Sequence, residues 1–321
     1  MQVYFFKIIM KKVGIIGGSG FIGSYITKTF LENNYQVKVS TTDISREDKY
    51  QHLMRSKNAE NLHISELDVT DKAQLEDFVT DCDYVIHGGT PFLLNFQDAE
   101  KQLFEPTIKG TENFLNVINS TPGIEKVVFI ASVAAYNTNF PMPAQGKSFT
   151  DIVDENDVKF TSPESHPYAQ AKFIANQAVA QYIEDNPNLS YEISTVSPVM
   201  VMGKAMSDRE DSTSGSLQFL IKNKIAPDDF IKALYDNDVT FAIVDVQDVA
   251  LAIFKAATIK GLHGKNYLLS SETYKVSDVH LMLNHQQPKE QSTAIYKNDL
   301  AKRDLGISFR PVKETLNNYS K

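Results

Sequence analysis

The feature that most constrains the fold is a glycine-rich run near the amino terminus, Val13-Gly-Ile-Ile-Gly-Gly-Ser-Gly-Phe-Ile-Gly23. Its β-branched residues predict a short buried strand, and a helical pattern begins directly after it. Gly17 allows a sharp exit from the strand, Gly20 a close approach of backbone to a ligand, and Gly23 close packing of helix on strand. Because a helix N-terminus stabilises negative charge, the run predicts a site for the diphosphate of a dinucleotide.

The spacing of the glycines narrows the choice of nucleotide-binding folds. Glycine-rich turns also occur as plain connections, so the run alone is only moderately specific. Here Gly17, Gly20 and Gly23 are spaced three residues apart, and no Gly-Lys-Ser or Gly-Lys-Thr comes next. The second observation argues against a P-loop nucleotide hydrolase.

Composition limits the classes of function. The chain has 321 residues, of which 42% are hydrophobic and 22% charged, as expected for a globular protein with a sizeable core. A net charge of −8 argues against nucleic acid as a partner. Cys82 is the single cysteine, so no intrachain disulfide can form and a cytoplasmic location is the simplest expectation. Residues 1–9 are too short to cross a membrane and are interpreted as an N-terminal extension without function.

Alternating strand and helix patterns predict an α/β fold with a smaller C-terminal region that covers the substrate. Residues 137–165 predict a long loop over the site. The domain boundaries that we predict are residues 10–198 plus 239–260 for the dinucleotide-binding domain, 199–238 plus 261–321 for the smaller region, and 1–9 for the extension.

The end of the second predicted strand bears on which dinucleotide binds. Thr41 and Thr42 stand there with Arg46 and Lys49 just beyond, a set of hydroxyls and cations that suits the 2′-phosphate of NADP. Asp43 comes one or two positions later than the acid that an NAD site places on the ribose. The sequence therefore favours NADP, with NAD as the alternative.

The ends of the third and fourth predicted strands carry further candidate binding residues. Asp68 follows the third strand and, taken alone, also suits a cap for a helix predicted over residues 70–79. The fourth strand runs into Gly88-Gly89-Thr90, small residues that suit close backbone approach to a ligand. His87, inside that strand, is interpreted as a packed histidine and not as a catalytic base.

Three residues predict the chemistry of carbonyl reduction: Ser132, Tyr168 and Lys172. Lys172 follows Tyr168 by one helical turn on the same face, so its cation can stabilise the phenolate and help the phenol to exchange a proton. Ser132 ends the fifth strand, where its hydroxyl can hold the substrate oxygen beside Tyr168. A tyrosine and a lysine at this spacing also occur by chance, and the order of glycine turn, serine and helix gives the pair its weight.

These motifs together resemble the extended short-chain dehydrogenases/reductases, and most of all their dihydroflavonol-reductase and aldehyde/ketone-reductase branch. The segments that carry the resemblance are Gly17–Gly23, Val85–Pro91, Ser132, Tyr168-Ala-Gln-Ala-Lys172, Ser197–Gly203 and Val244–Ala250. The resemblance implies a Rossmann-type doubly wound parallel sheet in the dinucleotide-binding domain, an NAD(P) cofactor and the catalytic residues Ser132, Tyr168 and Lys172. The cofactor-binding residues that we predict are Gly17, Ser19, Gly20, Phe21, Ile22, Gly23, Thr41, Thr42, Arg46, Asp68, Val69, Gly88, Gly89, Thr90, Lys172, Pro198 and Val201.

Some of these roles come from the resemblance alone. It implies that Asp68 and Val69 read the adenine, and that Phe21, Ile22, Pro198 and Val201 line the cofactor. It also implies a homodimer through the helices around residues 102–119 and 168–184. Thr42 stands where the NADP-using branch often has arginine, which is a departure from the pattern.

The activity predicted is reduction of an aldehyde or ketone, with two alternatives. The first is a nucleotide-sugar epimerase, whose substrate diphosphate would need Arg209, Arg303 or Arg310. The second is a regulator that binds the dinucleotide without turnover. The substrate itself stays open, since Phe92, Leu93, Leu94, Phe96 and Tyr136 suit an apolar pocket and ordinary packing equally. No metal site is expected, because His280 and His285 have no third ligand nearby.

Overall fold

A computed structural model describes residues 10–88, 98, 100–209 and 213–319. The strands are β1 (Lys12–Ile16), β2 (Gln36–Thr41), β3 (Leu62–Glu66), β4 (Tyr84–His87), β5 (Lys126–Ile130), β6 (Glu192–Pro198), β7 (Met200–Met202), β8 (Thr240–Asp245), β9 (Asn266–Leu269) and β10 (Glu272–Lys275). The helices are α1 (Phe21–Glu32), α2 (Lys72–Val79), α3 (Glu105–Ser120), α4 (Pro167–Asp185), α5 (Thr213–Asn223), α6 (Asp229–Asp236), α7 (Val246–Thr258), α8 (Val276–Leu283), α9 (Asp299–Leu305) and α10 (Val312–Asn317).

The larger sheet of the described residues has seven strands in the order β3-β2-β1-β4-β5-β6-β9, and every neighbouring pair is parallel. The chain moves outward from β1 to β3 and then returns to place β4 on the other side of β1. The strand order therefore reverses between β1 and β4, where ligands bind in open parallel sheets. The predicted Rossmann-type fold is confirmed.

Alternation along the strands sends side chains to two separate cores. Val13 and Ile15 pack with α1 and α7 on one face of the sheet. Ile16 and Val85 belong to the core on the opposite face, with α2, α3 and α4. Because strand side chains alternate with a period of two, an apolar run such as that of β1 serves both faces at once.

A smaller sheet has the order β10-β8-β7, with β7 parallel and β10 antiparallel to β8. Its apolar side chains, such as Met202, Phe241 and Ile243, form a third core with α5, α6, α8 and α10. Among the helices of the described residues, none combines the length and apolarity needed to cross a bilayer.

The assignment of strands to the two sheets differs from the domain boundaries predicted from the sequence. β9, which we assigned to the smaller region, extends the large sheet, because Thr195 of β6 pairs with Asn266. β8, which we assigned to the Rossmann domain, lies in the small sheet and pairs with β7. Both strands are short and apolar, so their sequences do not specify the sheet edge with which they pair. Residues 1–9 lie outside the described residues.

The start of α2 corrects one expectation. The carboxylate of Asp71 accepts hydrogen bonds from the amides of Ala73 and Gln74, so Asp71 is the N-cap and the helix begins at Lys72. Asp68 instead binds the amide and the hydroxyl of Thr70, at 2.9 and 2.7 Å. Asp68 as the helix cap was therefore wrong, because the turn through Thr70 occupies its side chain.

Candidate active site

The glycine turn between β1 and α1 has a backbone conformation that suits the sharp exit from the strand. Gly17 has φ of 79°, a left-handed conformation that favours glycine. A Cβ added to Gly23 would lie 2.0 Å from the carbonyl oxygen of Gly17. Since no side chain fits at that distance, Gly23 sets how closely α1 packs on β1.

The N-terminus of α1 points into the crevice at the reversal of strand order. Gly20 is its N-cap, and no side chain of the described residues caps the first turn, which contains no acidic residue. On the neighbouring strand, the amide of Gly88 donates to the carbonyl of Ile16 at 3.1 Å, so the end of β4 closes against the end of β1. Uncapped amides and a positive dipole end suit a diphosphate. Gly89 and Thr90 lie outside the described residues.

The end of β2 lies beside this turn and carries both predicted cations nearby. Lys49 donates from Nζ to the hydroxyl of Thr42 at 3.0 Å, so its ammonium lies against the strand end. Arg46 forms a two-pronged contact with Asp48, at 2.8 and 2.9 Å, on the surface. Ser40 accepts a hydrogen bond from the Gly17 amide at 2.9 Å and so supports the glycine turn.

The elements that carry the predicted catalytic side chains meet at the carboxyl end of β5. Ser132 follows β5 and caps the next 3₁₀ turn, its Oγ accepting from the amide of Ala134 at 3.2 Å. The start of α4 is fixed by Pro167 at its first turn and by His166, whose ring accepts from the amide of Tyr168 at 3.2 Å.

Lys172 ties α4 to β5. Its Nζ donates to the carbonyl of Ile130, two residues before Ser132, at 3.3 Å. The same Nζ lies 6.0 Å from the centroid of the Tyr168 ring. These contacts bring the end of β5 and the first two turns of α4 into one cluster.

Burial sets the charge state of this pair. Lys172 is only 6% exposed. Burial lowers the pKa of Lys172 to about 8 and raises the pKa of Tyr168 above its ordinary range. Among the described residues no carboxylate forms an ion pair with Lys172. A buried cation without an anion lowers stability, so such a residue marks a candidate functional site.

Replacing Lys172 by methionine is expected to stabilise the protein without cofactor at pH 7, by on the order of 2 kcal/mol, because it removes a buried charge. The gain is expected to shrink between pH 8 and 10.5. In that window the folded wild type has lost the proton that its unfolded chain still holds, so its stability rises with pH. Urea unfolding of Lys172→Met and wild type at pH 7 and 9.5 measures both effects.

Lys126→Met is the matched control, since Lys126 is also buried but pairs with Glu192 at 2.6 Å. It is expected to destabilise the protein, because Glu192 loses its partner. Equal destabilisation by both substitutions would show that Lys172 is an ordinary structural lysine.

The interpretation of His87 as a packed residue agrees with the structure. Its ring packs against those of Phe114 and Phe129, with centroids 4.5 and 5.2 Å away. Burial, with the nearby charge of Lys172, lowers the pKa of His87 to about 4, so the ring is neutral near pH 7. Tyr136 is 3% exposed and belongs to the core of the large sheet, whereas Phe92–Phe96 lie outside the described residues.

The remaining predicted residues have mixed surroundings. Pro198 ends β6 and Val201 lies in β7, and both are buried where the two sheets meet. Phe21 and Ile22 open α1 and are partly exposed beside the glycine turn. In the part of the chain that the structure describes, no cluster of histidine, cysteine and carboxylate side chains could hold a metal.

The parallel sheet, the glycine turn and the uncapped α1 N-terminus define a dinucleotide-binding Rossmann protein. The family model described as "NAD dependent epimerase/dehydratase family" matches residues 13–270, and the chain belongs to this family.

Named relatives extend over almost the whole chain. Anthocyanidin reductase of Arabidopsis thaliana is 26% identical over 306 residues, which cover 93% of this chain and 87% of the relative. The NADPH-dependent methylglyoxal reductase of Saccharomyces cerevisiae is 25% identical over 335 residues, 95% of each chain. The crystal structure of the yeast methylglyoxal/isovaleraldehyde reductase complexed with NADPH superimposes with a TM-score of 0.78 at 23% identity and covers 96% of both chains.

Proposed function

We propose that the protein is an NADPH-dependent reductase of an aldehyde or ketone, with Tyr168 as the proton donor assisted by Lys172 and Ser132. The observation that carries the proposal is the buried cation of Lys172, held between the Tyr168 ring and the end of β5. That position faces the same edge of the sheet as the glycine turn. The names of the relatives support a reductase over other activities of the family.

The chain's own residues are proposed to position the carbonyl and to supply its proton. When bound, the nicotinamide supplies the hydride to the carbonyl carbon. The hydroxyl of Tyr168 donates a proton to the carbonyl oxygen, and Ser132 donates a hydrogen bond to the same oxygen. Lys172 assists only while protonated, because its charge lowers the cost of forming the phenolate. Lys172 is buried and Tyr168 is half-buried, so water screens this electrostatic effect less than it would at the surface.

The residues around the glycine turn fit the cofactor. Gly20, Phe21 and Ile22 offer the uncapped N-terminus of α1 to a diphosphate, and Gly23 allows the close packing that exposes it. Asp68 and Val69 are proposed to read the adenine, and Pro198 and Val201 to line the nicotinamide end. Hydroxyls and cations at the end of β2 suit a 2′-phosphate.

Arg46→Ala and Lys49→Ala are each expected to lower the affinity for NADPH several-fold to about tenfold and to leave the affinity for NADH nearly unchanged. The reason is that each removes a cation from the 2′-phosphate and nothing from the rest of the cofactor. Calorimetric titration with both nucleotides measures the effect. Lys28→Ala is the control, since Lys28 is an exposed lysine on α1 that lies near Glu32.

The central test is a titration of the protein with NADPH and NADH, followed by NADPH oxidation with a panel of aldehydes and diketones. NADPH binding and oxidation by at least one carbonyl are expected. Binding without turnover across the panel would favour the regulator. NAD that copurifies in stoichiometric amount would favour the epimerase.

The surroundings of the three candidate arginines argue against the epimerase. Arg303 pairs with Asp304 at 2.7 Å, and Arg310 forms an ion pair with the buried Asp248. Arg209 donates to the carbonyl of Lys49. The three side chains have separate partners in separate parts of the fold, so they do not form one cradle for a sugar nucleotide.

We further propose that the protein is a cytoplasmic homodimer that pairs through α3 and α4. The two helices pack against each other within the chain, so two copies that paired through them would form the four-helix interface that the resemblance to extended short-chain reductases implies. Cys82 is buried, and burial raises the pKa of its thiol to about 11, which suits a structural cysteine. Sedimentation of the purified protein tests the dimer.

A further inference from the structure

A long-range contact joins the smaller region to the end of β2. Arg209 follows the small-sheet strand β7 in sequence, yet its Nη1 donates to the carbonyl of Lys49, 160 positions earlier, at 3.3 Å. The sequence analysis considered Arg209 only as a contact for the diphosphate of a sugar nucleotide. The structure places it instead beside the loop that follows β2.

The segment that carries Arg209 is anchored at two points. The side chain of Gln218 donates to and accepts from the backbone of Gly203, at 3.1 and 3.0 Å. The hydroxyl of Tyr25, on α1, donates to the carbonyl of Lys204 at 2.8 Å. These contacts lead the chain from the small sheet along α1 toward the loop after β2.

The loop after β2 carries charges of both signs, since Asp43, Glu47 and Asp48 accompany Arg46 and Lys49, and Arg209 adds a third cation. The pKa of the Asp48 carboxyl is lowered first by its hydrogen bond from Arg46, with a weaker contribution from the charge of Arg209. His52 lies nearby and accepts or donates to Ser24, in the first turn of α1, at 2.7 Å. Burial lowers the pKa of His52, and the charge of Arg209 lowers it further. The end of β2 thus faces cations from two parts of the chain.

We propose that Arg209 is a specificity-determining residue, a cation from the smaller region that binds the 2′-phosphate of NADPH together with Lys49 and Arg46. The proposal rests on the proposed function. A guanidinium can bind two phosphate oxygens at once, whereas an ammonium binds as a point charge. Since Arg209 belongs to the smaller region, a bound 2′-phosphate connects that region to the Rossmann domain. NADH has no 2′-phosphate and so cannot make this connection.

The test uses binding without turnover. Calorimetry measures the affinity of wild type, Arg209→Gln and Arg209→Lys for NADPH, NADH and the fragment pair adenosine 2′,5′-bisphosphate and AMP. Arg303→Gln is the control, because Arg303 is an exposed arginine of the same region that pairs with its neighbour Asp304. Each titration is repeated at high salt, which screens charge contacts.

Arg209→Gln is expected to lower the affinity for NADPH and for the bisphosphate by about tenfold and to leave the affinities for NADH and AMP unchanged. The affinities of Arg209→Lys are expected to be intermediate. The loss is expected to shrink at high salt. Unchanged NADPH affinity in Arg209→Gln, or an equal loss for NADPH and NADH, would overturn the role of Arg209 while the proposed function stands. A wild type that prefers NADH would overturn the NADPH assignment and this inference with it.

Discussion

Tyr168→Phe is expected to lower kcat by roughly 100- to 10,000-fold, the range that a positioned proton donor contributes. The ring stays and only the hydroxyl is lost, so its contact with the Lys172 ammonium at 6.0 Å is preserved. Affinity for NADPH is expected to change by less than about twofold, since the diphosphate binds at the other end of the crevice. Single-turnover rates with a carbonyl substrate, together with calorimetric titration of NADPH, separate the two effects.

Tyr182→Phe is the matched control on the same helix. Its hydroxyl lies 3.2 Å from that of Tyr191, near the end of α4 and far along the helix from Lys172. Loss of that hydrogen bond is expected to lower the free energy of unfolding by about 1 kcal/mol and to leave kcat unchanged. If Tyr168→Phe keeps most of its activity, or if both variants lose activity alike, another group donates the proton.

Gly23→Ala is expected to destabilise the protein by about 3 kcal/mol and to abolish measurable NADPH binding. Its Cβ would lie 2.0 Å from the Gly17 carbonyl oxygen and 2.8 Å from the Gly18 Cα. Both atoms are backbone, so relief requires α1 to move away from β1. That movement displaces the N-terminus of α1 from the crevice. Urea unfolding and calorimetric titration measure the two losses.

Gly110→Ala serves as the control, because Gly110 lies inside α3 and an added Cβ meets no atom of the described residues within 4 Å. This substitution is expected to stabilise the protein by about 0.5–1 kcal/mol, since alanine loses less backbone entropy in a helix. Within the described residues, no close packing contact requires glycine at this position. A Gly23→Ala protein as stable as wild type would contradict the close packing of α1 on β1.

Local features of the site could be predicted. The glycine turn, the start of α4 and the position of Ser132 at the end of a strand depend on residues within a few positions of one another. Short-range rules for turns, caps and periodicity cover such features. The cap of α2 shows the limit of these rules, because Asp68 and Asp71 both fit the pattern and the competing turn through Thr70 decides between them.

Long-range features could not be predicted. β8 and β9 are both short apolar strands. The domain boundaries predicted from the sequence placed β8 with the large sheet and β9 with the small sheet, and the structure shows the reverse. The burial of Lys172 comes from α4 packing against the end of β5. The position of Arg209 beside Lys49 depends on the path of the preceding residues, where Gly203 contacts Gln218 and Lys204 contacts Tyr25 of α1.

The sequence by itself determined the class of fold, the turn that suits a diphosphate and the tyrosine and lysine on one face of a helix. Each follows from spacing along the chain, and the physics of turns and helices acts over short spans. Only the tertiary structure decided which strands pair and which cations meet at the end of β2. It also decided that the Lys172 ammonium is buried without a carboxylate among the described residues. Pairing, burial and pKa depend on residues brought together from distant parts of the chain, so no local pattern could specify them.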